Sequence, residues 1–212
     1  MKLPGRLILA SKSPRRKAIL ELVGFKPIVM VSNCDESVVK ETDPEKLVAA
    51  LSKLKANAVT DKCELKDVIV ASDTVVSLDG KILGKPKTKK EAVEMLQSLN
   101  GRTHEVFTGV TIIYKKKSGD VCDTFVERTP VTFAKMSNCE IHEYVDTGEP
   151  MDKAGAYGIQ GTFAKFIPHI DGDAFSVAGL PIARTYEHIR ALANPKKKRK
   201  IVCESFISRS RE

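Results

Sequence analysis

Short unbroken apolar runs alternate along this chain with stretches whose apolar residues recur at helical spacing. Leu7-Ile8-Leu9-Ala10 and Val68-Ile69-Val70-Ala71 each read as a strand buried on both faces. After the first run a polar loop, Ser11-Lys12-Ser13, leads to Pro14. A helix opens there, because serine is favoured at the N-cap and proline at the first helical position. It runs to about Val23 and stops at Gly24. Lys26 to Ser32 is extended. A second helix opens at Asp43-Pro44 and carries Leu47, Ala50, Leu51, Leu54 and Ala58 at helical spacing. The second buried run has Ser72-Asp73-Thr74 at its C-terminal end, and Val75 to Leu78 continue to an Asp79-Gly80 hairpin turn. Ile82-Leu83 then lead into Gly84-Lys85-Pro86. Thr88 to Glu91 has the form of a capping box. The helix behind it sets Ala92, Met95, Leu96 and Leu99 on one face. His104 to Tyr114 and Val121 to Phe133 are long β-type runs flanking a polar loop. Ser137 to Glu140 is a second capping box, opening a helix that ends near Gly148. The pattern predicts a strand over Phe163 to Ile170, a turn at Asp171-Gly172 and a last helix from Pro181 with Ile182, Tyr186, Ile189 and Leu192 on its apolar side.

Strands alternate with helices at both ends, and a hairpin lies in the middle. The fold class is therefore α/β, with a mixed sheet that is bent or split and flanked by helices. A chain of 212 residues suits one domain or two tightly packed lobes, here residues 1–193, followed by a basic tail over 194–212. No apolar run approaches membrane-spanning length. The first apolar stretch is too short for a signal peptide and runs into a basic helix. Five cysteines are scattered with no CxxC pair, so neither a zinc knuckle nor a disulfide framework is indicated, and a reducing cytoplasmic or nuclear setting is expected. The net charge of +8 is uneven: from Asn194 onward seven lysines and arginines face two glutamates, so the tail carries +5 and the rest of the chain +3. The basic balance is thus no argument for a nucleic-acid face on the fold. Pro195 to Lys200 is similar to a monopartite nuclear import signal. A tail of this kind also suits contact with nucleic acid that has no sequence preference.

The loop at Ser11 to Arg16 places two serines and two arginines where backbone N–H groups and the positive end of a helix meet, a site for a polyanion and for phosphate first of all. The plain alternative is an ordinary strand-to-helix turn with solvated arginines. Asp73, past the second strand, can hold Mg2+ or Mn2+ or take a proton from water; otherwise it caps the next turn. Asp35-Glu36 is a second acidic locus, with Glu36 the better metal or base candidate, or else a solvated pair. Lys85 sits on a loop that glycine lets approach a ligand and proline fixes, and there a lysine suits phosphate or is merely exposed. Lys55 alone reads as a surface lysine. Glu149 to Gly161 packs three glycines around Tyr157 and Gln160, either a close-fitting wall in which Gln160 can offer both a donor and an acceptor to a nucleobase edge or a glycine-rich connector with no ligand. Asp152 and Lys153 either pair with each other or orient that segment. His104, His142, His169 and His188 show no metal-ligand spacing, and no Ser-His-Asp pattern surrounds Ser11 or Ser13. No GxxxxGKS or GxxxxGKT run occurs, which excludes a P-loop NTPase.

Four segments taken in order resemble the Maf family of nucleoside triphosphate pyrophosphatases: LASKSPRR (Leu9 to Arg16), ASDTVV with GKP (Ala71 to Pro86), SLNGRTHEVFTGV (Ser98 to Val110) and EPMDKAGAYGIQG (Glu149 to Gly161). Ala178-Gly179-Leu180-Pro181 is a weaker fifth. The resemblance implies a strongly bent sheet around a central cleft, as in Maf- and ITPase-like folds. It implies hydrolysis of a nucleoside triphosphate to the monophosphate and pyrophosphate with a divalent metal, Mg2+ or Mn2+. Carried over residue by residue, Ser11, Arg15, Arg16 and Lys85 are triphosphate contacts. Glu36 and Asp73 are the metal and base carboxylates, Asp73 being the proton acceptor, and Lys55 is a further active-site lysine. Arg15, Thr74 and Gln160 are similar to the determinants of the branch acting on dTTP and UTP. The alternatives are 7-methyl-GTP or another modified nucleotide as substrate, or a non-catalytic nucleotide-binding regulator of cell division. A pocket without catalysis would be expected to have lost Glu36, Asp73 or Lys85, and all three are present. Related proteins often form dimers, so a homodimer is expected. One departure stands out: where the family often has asparagine ahead of the fifth motif, this chain has Ser176, which either replaces that contact or leaves it missing.

Overall fold

The computed structural model describes residues 3–193; the basic tail, with its proposed import signal at Lys196 to Lys200, lies outside them. The first apolar run forms β1 (Leu7–Leu9), and α1 (Pro14–Leu22) follows with Ser13 at its N-cap. After β2 (Ile28–Val29) comes a single helical turn over Glu36–Val38, and then α2 (Pro44–Asn57), whose N-cap Asp43 accepts from the Lys46 N–H. β3 (Val68–Leu78) turns at Asp79-Gly80, both with positive φ, into β4 (Lys81–Leu83). α3 (Lys89–Leu99) is capped by Thr88. β5 (Thr103–Tyr114) and β6 (Val121–Thr132) form the long hairpin, and α4 (Asn138–Asp146) carries a complete capping box between Ser137 and Glu140. β7 (His169–Ile170), α5 (Ala174–Val177) and α6 (Ile182–Ala193) complete the fold.

The seven strands of the described residues join one mixed sheet, ordered β2-β1-β3-β5-β6-β7 with β4 on β3, and the sheet curls into a half-barrel flanked by helices. β1 runs parallel to β2 and to the first three residues of β3, while β5 runs antiparallel to β3 from Val68↔Tyr114 to Ser77↔Glu105. Alternation along the buried strands divides the core as a period of two requires. Leu9 and Val70 pack with Ile19, Leu20, Leu180 and Ile189 of α1, α6 and the turn before α6, whereas Ile8 and Ile69 pack with Ala56 and Val59. Each such side chain, removed wholly from water, contributes about 2 kcal/mol. A second large core joins the far ends of β3 and β5 to α3, α4 and the aromatic group Phe133, Tyr157, Phe163 and Phe166.

Two expectations need correction. Asp73 does not end a strand; it lies inside β3, because β5 supplies backbone partners without interruption past Ser72↔Val110, Asp73↔Gly109 and Thr74↔Thr108. Phe163 to Ile170 is not a strand. Residues Thr162–Phe166 form a 3-10 turn, and only His169–Ile170 pairs with β6. Phe163 and Phe166 are both buried in the same aromatic group. A separation of three puts them on one side of a helical turn but on opposite faces of a strand.

The edge of β3 that carries β1 and β4 is what positions the site. Parallel β1 covers Val68–Val70 and antiparallel β4 covers Val76–Leu78. Between them, residues 71–75 have no strand partner on that edge among the described residues, and Asp73 and Thr74 lie in this gap.

None of the histidines lines the cleft at that gap. His104 is a core residue: its Nε2 is 2.7 Å from the Tyr157 hydroxyl, its ring packs edge-on against Phe133 and Tyr157, and burial pushes its pKa down to about 4. The unfolded chain takes up this proton near the ordinary value of 6.5, the folded chain only near 4. Between those values the unfolded state binds more protons, so stability falls as pH drops, with the His104 share reaching about 3 kcal/mol at the low end. Denaturant midpoints at neutral pH and at about pH 4.5 should therefore converge in His104→Gln relative to the parent chain, whatever the variant's stability at neutral pH. An identical acid slope in the two proteins would contradict this assignment.

Candidate active site

A cleft of about 780 Å³ opens at the gap in β3. The nine residues singled out in the sequence (Ser11, Arg15, Arg16, Glu36, Lys55, Asp73, Thr74, Lys85 and Gln160) all line it, although they come from six separated stretches of chain. Lys55 is delivered by the last turn of α2. Its Nζ donates to Asp73 Oδ1 at 2.5 Å and lies 3.0 Å from Glu36 Oε2, so one ammonium holds two carboxylates together. The Lys55 and Asp73 side chains are only 11% and 12% exposed while Glu36 is 53% exposed. The pair is thus shielded from bulk water on one side and open to the cleft on the other, and Lys55 is no surface lysine.

Adjacent arginines on α1 go separate ways. Arg16 turns inward: Nε donates to the Gly179 carbonyl at 2.9 Å, Nη1 to Ser11 Oγ at 3.2 Å and Nη2 to Thr74 Oγ1 at 3.2 Å. Burial lowers its pKa, and the nearby Asp73 carboxylate opposes that shift. Arg15 turns across the cleft, where Nη1 donates to Asp152 Oδ2 at 2.9 Å. Asp152 also accepts from Lys153 Nζ at 2.7 Å, so the Asp152–Lys153 pairing expected from the sequence forms, and Arg15 joins it. Ser13 occupies the N-cap of α1, yet its side chain makes no capping bond and no acidic residue lies in the first turn. The positive helix end therefore faces the cleft uncompensated.

Lys85 and Gln160 are exposed at the rim. The Lys85 loop is tied to the glycine-rich segment by the Gly155 N–H, which donates to the Gly84 carbonyl at 3.0 Å. Behind the site, Thr74 Oγ1 is 3.0 Å from Thr108 Oγ1, Thr108 donates to the Ser176 carbonyl at 2.8 Å, and Ser72 donates to the Gly179 carbonyl at 2.8 Å. Sequence reasoning missed Ser72 and Thr108. The alternation of β5 and its register with β3 are the signals that single out Thr108, opposite Thr74. The Ser176 hydroxyl is buried without a hydrogen-bond partner and does not line the cleft; only its carbonyl takes part.

Glu36 and Asp73 are hard oxygen donors, and among the described residues no group of three or more His, Cys, Asp or Glu side chains is placed to hold a metal. Two carboxylates with substrate phosphates are a usual donor set for Mg2+, so these residues fit a metal that arrives with a polyphosphate. A cleft with a positive helix end, a buried arginine and a shielded carboxylate is equipped to hold a polyanion and to take a proton beside it.

The model of the Maf-like protein family matches residues 6–192. A dTTP/UTP pyrophosphatase of Lachnoclostridium phytofermentans is 48% identical over 186 residues, covering 87% of this chain and 94% of the relative. A dTTP/UTP pyrophosphatase of Bacillus pumilus is 49% identical over 181 residues, covering 85% and 93%. Among solved structures, a nucleoside-triphosphatase (dITP/XTP pyrophosphatase) of Mycobacterium abscessus aligns over 90% of this chain and 97% of its own at 14% identity, with a TM-score of 0.42.

Proposed function

This chain belongs to the Maf-like protein family, and from that premise we propose that it hydrolyses dTTP and UTP to the monophosphate and pyrophosphate. The observation that carries this reading is the Lys55 ammonium joining Asp73 and Glu36 in the cleft that Arg16 also lines. Anion-binding groups and a proton acceptor then meet one substrate.

Asp73 accepts the proton of a water molecule whose oxygen bonds to the α-phosphorus. The α–β bridging oxygen leaves with pyrophosphate. Arg16, Ser11, Lys85 and the N-terminus of α1 take up the charge that grows on this leaving group. Lys55 holds Asp73 in place and keeps both carboxylates close without mutual repulsion. Glu36 and Asp73 would hold the divalent metal, Mg2+ or Mn2+, which when bound offsets phosphate charge. Arg15, Thr74 and Gln160 select the base. Arg15 is anchored on Asp152 at the glycine-rich side, and Gln160 at the rim can both donate and accept.

The homodimer and a nucleic-acid contact through the tail stay sequence expectations beside this reading. A panel of normal and modified nucleoside triphosphates, assayed for pyrophosphate release with Mg2+ or Mn2+, tests it. The expected result is a kcat/KM for dTTP and UTP at least about tenfold above that for purine triphosphates, the size of one net hydrogen bond to the base. Absence of pyrophosphate from every pyrimidine triphosphate would end the reading, and a preference for 7-methyl-GTP would move the chain to the other branch.

A further inference from the structure

The segment between Glu149 and Thr162 forms the glycine-rich wall of the cleft, and one carboxylate outside the cleft closes it on itself. Glu149 Oε2 accepts from the Thr162 N–H at 3.1 Å and from the Thr162 hydroxyl at 2.9 Å, while Oε1 accepts from the Tyr144 hydroxyl of α4 at 3.2 Å. Glu149 does not itself line the cleft. The fit around it is tight. A Cβ added at Gly161 would lie 2.3 Å from Oε1 and 2.7 Å from the carboxyl carbon. Gly161 has φ near −177°, ordinary extended backbone, so the crowding there comes from the Glu149 carboxylate, which a side chain at 161 would displace, rather than from conformation. Gln160 is the neighbour of that contact and lies two residues from the bonded Thr162. At the other end of the segment, Lys153 Nζ donates to the Glu149 carbonyl at 2.5 Å and also meets Asp152, the residue that holds Arg15.

We infer that Glu149 is a positioning residue for nucleobase selection: by pinning Thr162 under Gly161 it fixes the path of Gln160 and of the wall from Tyr157 to Ile159. This rests on the function proposed above. The chemistry of the step does not need Glu149, since its carboxylate lies outside the cleft lining and is bonded to Tyr144 and Thr162. What it supplies is order in a loop that would otherwise sample many conformations. Losing that order costs binding and selection rather than turnover at saturation, because a recognition group misplaced by an ångström forfeits its contact.

The experiment measures kcat and KM for UTP, dTTP and ATP in Glu149→Ala, Glu149→Gln, Thr162→Val, Gln160→Ala and the double variant Glu149→Ala/Gln160→Ala. Glu149→Ala should raise KM for UTP about tenfold and cut the UTP-to-ATP ratio of kcat/KM about tenfold, with kcat within about threefold of the parent. Glu149→Gln, which keeps the volume and an acceptor, should recover most of that ratio. The double variant should discriminate no worse than the poorer single variant, since one acts through the other. Unchanged KM and ratio in Glu149→Ala, or losses that multiply in the double variant, would overturn the proposal. Should Glu149→Ala not fold, Thr162→Val and Glu149→Gln carry the same comparison. If the parent chain prefers another triphosphate, the pyrimidine reading fails, and the same ratio taken for that triphosphate still decides the role of Glu149.

Discussion

Asp73→Asn is expected to lower kcat on dTTP by about a thousandfold, in the range lost when a positioned proton acceptor is removed. Asparagine has the same shape, so the amide oxygen can still accept from Lys55, and Lys55 keeps Glu36 at 3.0 Å. What disappears is the basic oxygen and one negative charge of the two that share the ammonium. Asp73 lies inside β3, and its backbone stays paired to Gly109 whatever the side chain. The thermal midpoint should therefore stay within a few degrees of the parent, which separates a chemical defect from unfolding. The measurement is steady-state pyrophosphate release beside a melting curve. A variant that keeps near-parental kcat would remove Asp73 from the chemistry and leave Glu36 as the acceptor.

The second large effect concerns a glycine outside the cleft. Gly109 of β5 lies where the backbone of α2 presses directly on the sheet: a Cβ there would stand 2.3 Å from the Val48 carbonyl oxygen and 2.5 Å from its carbon. These are backbone atoms within the first turns of a helix, and no rotamer change relieves the overlap. Gly109→Ala must push α2 off β5, which should cost about 3 kcal/mol, the upper end of ordinary overpacking. For a chain of this size that is roughly a 10 °C fall in thermal midpoint. Activity should fall too, because Lys55 sits on the same helix, roughly 10 Å further along its axis. A displaced α2 then loosens the Lys55–Asp73 contact. A midpoint within a degree or two of the parent would show that α2 can move aside without strain, and the packing account of Lys55 would be wrong.

The caps and turns were legible in the sequence because they are local. Asp43-Pro44, the Ser137–Glu140 box and Asp79-Gly80 all form as their residue types dictate. The nine cleft-lining candidates could be picked out by residue type, but their meeting in one cleft could not. The polar triplet Ser72-Asp73-Thr74 looked like the end of a strand, since aspartate and serine are poor strand formers. Ladder pairing with β5 overrides that local preference. Phe163 and Phe166 read as strand residues because an apolar run carries no period of its own until its partners are known. The two arginines could not be separated in one dimension, yet neighbours on a helix point about 100° apart, so one faces β3 and the other Asp152. Lys55 looked like a surface lysine because nothing in its own helix reveals that the last turn of α2 overlies the gap in β3. Glu149 was invisible as a positioning group, since its partners Tyr144 and Thr162 are set by tertiary structure.

On the reading proposed above, one cleft holds a triphosphate with its leaving pyrophosphate toward Arg16 and its α-phosphorus toward Asp73. Phosphorus NMR of dTTP incubated with the full chain and Mg2+ shows, from the products formed, which phosphorus is attacked. The expected products are dTMP and pyrophosphate in equal amounts, with neither dTDP nor inorganic phosphate formed by the chain. Appearance of dTDP with inorganic phosphate would place the cut at the other end of the triphosphate and rule out this orientation.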